Sequence, residues 1–118
     1  MIKKLLFTIL LGLSAFANTL TVGSTIPTLT IKDQFEKDHT VDANIKTIIF
    51  SATKTEGTTI KEFLLTKDKD YLTTNKTVYI ADITGMPSLI TKFIAMPKMK
   101  NYPFSVLLID EANKTLFP

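Results

Sequence analysis

The sequence contains no cysteine. Thiol–disulfide exchange, thiol peroxidation and metal binding by thiolates all require a cysteine sulfur, so the sequence excludes these activities. A single histidine, His39, argues against a histidine-based metal site. We therefore expect neither a metal nor a cofactor.

Arginine is also absent, since all 14 basic residues are Lys, against 11 acidic residues. The chain thus lacks the side chain best suited to bidentate binding of phosphate or carboxylate. Loss of Lys3 and Lys4 with the N-terminal segment described next would leave 12 Lys against 11 acids, a net charge of about +1. A charge this small gives no reason to expect nucleic acid as a partner.

The N-terminus has the three parts of a secretory signal peptide. A short basic region precedes an apolar run over residues 5–14, and Ala15-Phe-Ala17 is typical of a cleavage site. The apolar run is shorter than the roughly 20 residues that a bilayer requires. We predict that residues 1–17 are removed before Asn18. The mature protein is then periplasmic or secreted, with no stable membrane anchor.

The remaining chain alternates predicted strands with predicted helices. Apolar runs predict strands over residues 47–50, 77–81 and 104–109, after a first strand that Gly23 and Pro27 interrupt. Residues 33–40 are polar and predict a solvated hairpin tip that includes His39. A return strand is expected over residues 115–117. Either a further covering element follows beyond Pro118, or this short edge strand closes the fold.

Residues 52–57 are small and polar, which predicts a loop. A capping box formed by Thr59 and Glu62 then predicts a helix start at Thr59, with Ile60, Phe63 and Leu64 on the buried face. A second helix is expected between Pro87 and Pro97. Its spacing favours burial of Phe93 and Met96, and Met99 is expected to be exposed. Strands that alternate with helical crossovers predict an α/β fold with parallel central strands.

Three segments resemble the thioredoxin-like superfamily, in particular its peroxiredoxin and exported TlpA-like branches. The first is made up of Val22-Gly-Ser-Thr-Ile-Pro27 and Leu29-Thr-Ile-Lys-Asp-Gln34, which together look like the "VGxxxP-x-F-x-L-x-D" motif at the start of the domain in those families. Ile48-Ile-Phe-Ser51 resembles the strand before the redox motif. Tyr102-Pro-Phe-Ser-Val-Leu-Leu-Ile-Asp110 resembles the cis-proline loop and its strand.

The resemblance covers residues 22–118 and implies a thioredoxin-like domain over residues 18–118. It implies an α/β/α sandwich with a mixed sheet, in which residues 104–109 run antiparallel to the other two central strands. Where the family carries C-x-x-C or T-x-x-C, this chain reads Thr53-Lys54-Thr55-Glu56. The family's Arg is missing too. Whether the Tyr102–Pro103 bond is cis stays open at this point.

Two classes of function remain. The first is a non-redox binding or scaffold module for a polypeptide partner in the cell envelope. The resemblance implies that such a module would use a groove between two segments, the first Thr53, Lys54, Thr55 and Glu56 and the second Tyr102 and Pro103.

The second class is a non-redox enzyme that uses Glu56, Lys54 or Asp82, or a flavin-associated protein, as similar proteins are sometimes labelled. An enzyme needs convergent titratable groups, and the sequence offers no such pair at a recognisable spacing. A flavin site would be marked by G-x-G-x-x-G after a strand, and the four Gly are scattered. Asp82 and Thr84 follow a central strand, where α/β proteins bind ligands, but a loop-capping role explains them equally well. We therefore predict a binding module.

Overall fold

The computed structural model describes residues 21–115 of the chain. The predicted signal peptide (residues 1–17), its cleavage site before Asn18, and residues 116–118 with most of the predicted return strand lie outside the described residues.

Five strands and several helical segments make up the described part of the chain. The strands are β1 (Leu29–Lys32), β2 (Asp38–Val41), β3 (Thr47–Ser51), β4 (Thr77–Asp82) and β5 (Leu107–Ile109). The helical segments are α1 (Lys54–Leu65), α2 (Tyr71–Thr74), α3 (Ser88–Ile90), a π-helical segment (Thr91–Ala95) and α4 (Met96–Met99). The molecule is therefore an α/β protein, as the alternation of strands and helices predicts.

The three central strands form one sheet in the order β3-β4-β5, which confirms that they lie together. All three run parallel, with Ile80 of β4 opposite Leu107 of β5. The antiparallel direction expected for residues 104–109 is therefore wrong. The reason lies in the connection: helical segments carry the chain from the end of β4 back to the edge where β4 begins, and such a crossover produces a parallel neighbour.

The β1–β2 hairpin forms a second, antiparallel sheet, with Leu29 opposite Val41. The backbone of Asp33, directly after β1, forms an isolated antiparallel bridge with Leu107. The hairpin therefore meets the central sheet at β5.

Both faces of the central sheet are buried, as alternate residues along β4 show. Tyr79 and Ala81 belong to a cluster that includes Leu64 of α1, Leu72 of α2 and Met99 of α4. Ile80 belongs to a second cluster, which the hairpin residues Leu29, Ile31 and Val41 complete. Within residues 21–115 the helices thus cover one face and the hairpin the other. An α/β/α sandwich would place helices on both faces.

Helix α1 begins one and a half turns earlier than Thr59, the predicted start. Its N-cap is Thr53, and the capping box is formed by Thr53 and Glu56. Residues 54–57, which we expected in a loop, are helical. The capping-box pattern occurs twice in the sequence, at Thr53–Glu56 and at Thr59–Glu62. The helix starts at the earlier copy, which directly follows β3.

Of the residues predicted on the buried face of α1, Leu64 is buried as expected, but Phe63 is not. The side chain of Leu64 is 2% exposed, whereas Phe63 is 46% exposed. Phe63 makes an edge-to-face contact with Tyr71, with ring centroids 5.9 Å apart, and the Lys67 ammonium lies 5.1 Å from its ring centroid. The expectation that Phe63 is a core residue is therefore wrong, because neighbouring helical positions differ by about 100° and the sheet lies on the Leu64 side.

The helical stretch from α3 to α4 also presents its faces differently from the prediction. Phe93 is 65% exposed and Met99 is buried, so both expectations are reversed, whereas Met96 is partly buried against the core as expected. The π-helical segment explains the difference, since the Met96 N–H bonds to the Thr91 carbonyl five residues earlier. A π turn breaks the α-helical spacing on which the prediction rested. No helix among residues 21–115 is long and apolar enough to cross a membrane.

Candidate functional site

The segment from Thr53 to Glu56 is used to start α1. The Thr53 Oγ1 accepts a hydrogen bond from the Glu56 backbone nitrogen at 3.2 Å. One oxygen of the Glu56 carboxylate, Oε1, accepts from the backbone nitrogens of Ala52 and Thr53 at 2.8 and 3.1 Å. The bond from Ala52 is the largest cause that lowers the pKa of Glu56 below its ordinary value. The hydrogen bonds that cap the helix therefore favour the ionised form of Glu56.

The first turn of α1 also lies close to a buried hydroxyl pair. Ser51 Oγ and the Tyr79 hydroxyl are 2.9 Å apart, and burial raises the pKa of Tyr79. A Cβ atom at Gly57 would lie 3.6 Å from the Tyr79 hydroxyl, an ordinary van der Waals contact, so the helix packs directly above this pair. Lys54 and Thr55 are exposed on this turn.

The Tyr102–Pro103 segment lies at the other edge of the sheet. Since β5 runs parallel to β4, residues just before β5 lie near the beginning of β4, whereas α1 begins just after the end of β3. The Tyr102–Pro103 bond is trans. The structure therefore does not bring Thr53, Lys54, Thr55 and Glu56 together with Tyr102 and Pro103 in one groove.

An open cleft of about 700 Å³ surrounds Tyr102 and Pro103; we call it the amino-edge cleft. Its apolar walls include Phe35, Phe104 and Leu72. The Tyr102 and Phe104 rings stack with centroids 5.2 Å apart, so the aromatic wall is continuous. No residue from Thr53 to Glu56 lines this cleft.

Gln34 fixes the wall of the cleft that carries Pro103. Its side chain is fully buried, and Nε2 donates to the carbonyl oxygens of Met99 and Phe104 at 3.1 and 2.8 Å. Its Oε1 accepts from the Val106 backbone nitrogen at 2.7 Å. These bonds fasten the chain on both sides of Tyr102 and Pro103. Sequence reasoning missed this role, because a Gln in a polar hairpin tip carries no local signal of contacts this distant.

Asp33 and His39 form a second buried polar contact beside the amino-edge cleft. His39 Nε2 lies 2.6 Å from Asp33 Oδ2, and Asp33 Oδ1 accepts from the backbone nitrogens of Phe35 and Lys37. Burial acts to raise the pKa of Asp33, but these hydrogen bonds outweigh it and the pKa lies below its ordinary value. His39 is half-buried and lines the cleft, so the expectation of a solvated histidine is wrong. The contact with the buried Asp33 carboxylate holds the His39 imidazole ring against the protein.

A second cleft, of about 740 Å³, lies at the opposite edge of the sheet; we call it the carboxyl-edge cleft. It is lined in part by five carboxylate residues, Asp33, Glu36, Asp38, Asp110 and Glu111. Thr84 also lines it and is bound to Asp82, whose Oδ1 accepts from the Thr84 backbone nitrogen and hydroxyl at 2.9 and 2.7 Å. Asp82 therefore has the loop-capping role that the sequence allowed. Among residues 21–115, no group of three or more His, Asp or Glu side chains could hold a metal ion.

Comparisons with known proteins leave the chain without an assigned family. No protein-family model, no curated protein and no solved structure matches it.

Proposed function

We propose that this protein is a non-redox binding module that holds a polypeptide partner in the amino-edge cleft. The observation that carries the proposal is the open cleft around Tyr102 and Pro103, with its continuous aromatic wall. Aromatic rings and proline bury apolar side chains of a bound chain at a low cost in conformational entropy. The three hydrogen bonds of Gln34 support the proposal, because they order one wall before any partner binds.

No observation favours the enzyme alternative over the binding module. One oxygen of Glu56 accepts two backbone N–H groups, and one oxygen of Asp82 holds Thr84. A carboxylate with a lowered pKa, such as Glu56, is a poor general acid near neutral pH. The flavin-associated alternative likewise has no feature of the described residues in its favour.

The relationship to the thioredoxin-like superfamily is part of this proposal. A hairpin followed by the β3–α1–β4 unit supports it. The parallel direction of β5 argues against it, because the resemblance implies an antiparallel strand at that position.

We also propose that the protein is exported and meets its partner in the cell envelope. The basic start, the short apolar run and Ala15-Phe-Ala17 support this location. Mass spectrometry of the protein from a cell-envelope fraction tests it. A mature N-terminus at Asn18 is expected, and a chain that retains Met1 in the cytosol would contradict it.

The binding proposal is tested by selection from a phage-displayed library of random short peptides on the immobilised mature protein. We expect enrichment of a set of peptides on the wild-type protein. Thr73 is exposed and lines the cleft, so Thr73→Trp places a large ring in the binding space and is expected to abolish the enrichment. Thr58→Trp makes the same change on an exposed position of α1 outside the cleft and should leave the enrichment intact.

Pro103→Ala is expected to weaken binding of the selected peptides, because it removes the ring from the wall and frees the backbone φ angle. Circular dichroism should show that these variants keep the fold. Equal enrichment on the wild-type protein and on Thr73→Trp would overturn the assignment of the cleft.

A further inference from the structure

We infer that the polypeptide segment held in the amino-edge cleft is anionic and binds through carboxylate groups next to apolar side chains. This inference rests on the proposed function and adds the chemical class of the ligand. It follows from the charges that line the cleft.

The lining of the cleft carries positive charge, and the carboxylate beside it, Asp33, is bound to His39. Lys69 and Lys76 line it, and no Asp or Glu does. The two lysines flank α2, one before Tyr71 and one after Thr74, so they lie at the two ends of one wall. Lines of force from charges of one sign are focused in a concave surface, which raises the local concentration of an oppositely charged ligand.

Both ammonium groups are available to a ligand. Lys69 and Lys76 are exposed, and neither forms an ion pair with any residue in the range 21–115. Asp68 and Asp70 are neighbours of Lys69 in the chain, but they do not line the cleft. A lysine ammonium without an acidic partner in a cleft wall can pair with a carboxylate of the ligand without first breaking an internal contact.

The carboxyl-edge cleft differs from the amino-edge cleft in the sign of the charges that line it. It has a similar volume, but its lining holds five carboxylate residues against the two lysines Lys32 and Lys92. An anionic chain would be repelled there and attracted at the amino edge. The charges of the described residues therefore separate the two clefts by the sign of the ligand that each accepts.

The uncharged residues that line the cleft indicate which side chains the ligand carries beside its carboxylates. Phe35 and Tyr102 offer apolar surface, backed by the buried Phe104, and the hydroxyls of Thr73 and Ser105 can donate to an anion. A segment that alternates apolar and acidic residues satisfies both features. The carboxylate has two possible sources, an Asp or Glu side chain or the C-terminus of the partner.

The library selection described above tests the inference when the enriched peptides are sequenced. We expect Asp and Glu to be over-represented beside aromatic or branched apolar residues. Synthetic copies of one selected peptide are then compared by isothermal titration calorimetry. Replacing its acidic residues by Asn or Gln should weaken binding, and a free C-terminus should matter little compared with an amide. The reverse result would assign the carboxylate to the C-terminus.

The double variant Lys69→Gln, Lys76→Gln should weaken binding of the acidic peptide about tenfold at low salt, and the loss should shrink as salt is added. Lys54→Gln, Lys98→Gln is the matched control, because it removes two exposed lysines outside the cleft and should change the affinity less than about twofold.

The possible failures are distinguishable. The enriched peptides could be neutral or basic, and Thr73→Trp could still abolish their enrichment. That result would overturn the charge inference and leave the binding site in place. An unchanged affinity in the Lys69→Gln, Lys76→Gln variant would do the same. No enrichment above the Thr73→Trp variant would overturn the proposed function itself.

Discussion

The side chain of Gln34 accepts a hydrogen bond at 2.7 Å from the backbone nitrogen of Val106, 72 residues further along the chain. The same carboxamide donates to the carbonyl oxygens of Met99 and Phe104. One buried side chain thus satisfies three backbone groups that flank Tyr102 and Pro103. The shape of the amino-edge cleft depends on this contact.

Gln34→Leu should lower the free energy of unfolding by about 3 kcal/mol, because it leaves buried backbone groups without a partner. Gln34→Glu should also destabilise the protein, since a carboxylate can accept from Val106 but cannot donate to the two carbonyls. Urea denaturation measures both changes. Asn44→Leu, at an exposed amide, is the control and should shift stability by less than about 0.5 kcal/mol. A Gln34→Leu protein as stable as that control would show that these bonds contribute little.

Leu64→Ala should cost about 2–5 kcal/mol, because it opens a cavity in the cluster beneath α1. Phe63→Ala, the neighbouring change, should cost about 1 kcal/mol, since it removes only a partly exposed ring and its edge contact with Tyr71. Denaturation of the two variants under the same conditions compares them directly. If Phe63→Ala were the more damaging change, the orientation of α1 would be wrong.

Thr53→Ala should destabilise the protein by about 1 kcal/mol, because Thr53 is the N-cap of α1. Thr59→Ala, the same substitution inside the exposed helix, should be neutral or slightly stabilising, since Ala has the higher helix propensity. Thermal unfolding followed by circular dichroism measures the pair. The opposite order of effects would place the helix start at Thr59.

Asp33 should make the protein sensitive to acid. Its pKa is lowered in the folded state, so its contribution to stability is present above the unfolded pKa, near 3.8, and is lost as the pH falls through the lower folded value. Asp33→Asn should lower stability at neutral pH by about 1–3 kcal/mol, because charged hydrogen bonds to His39 and two backbone nitrogens are lost or weakened.

Urea midpoints measured from neutral pH down to about pH 2.5 test this account of Asp33. The wild-type protein should lose more stability than Asp33→Asn over the acidic part of the range, so the two curves should converge. Parallel curves would show that Asp33 does not titrate with folding.

The sequence predicts β3 and β4 well, because each is a short apolar run between polar segments. It predicts β5 too long, since the strand covers only Leu107–Ile109, and it misses β2 in the polar segment expected as a hairpin tip. It also predicts that the three central strands share a sheet. The direction of β5 was missed, because an apolar run such as residues 104–109 has the same pattern whether the strand is parallel or antiparallel to its neighbour. The orientation of Phe63 and Phe93 was missed for a related reason: apolar spacing marks an apolar face, and the sheet and the π turn decide which part of it is buried.

The candidate site was predictable only in part. Tyr102 and Pro103 could be picked out from the sequence, and they do line a cleft. Their intended partners Thr53 and Glu56 instead cap α1, since the parallel β5 separates the two segments. Gln34, Lys69 and Lys76 could not be found in advance, because their roles depend on contacts and surroundings that only the folded chain creates.

The central claim is that a polypeptide binds at Tyr102 and Pro103, and its most direct test is a map of amide chemical-shift changes. A selected peptide is titrated into the ¹⁵N-labelled mature protein. We predict that the largest changes fall at Thr73, Lys76, Tyr102 and Ser105, which line the amino-edge cleft. Largest changes at residues 53–57, or at the exposed apolar residues Leu89, Phe93 and Ile94, would contradict the account.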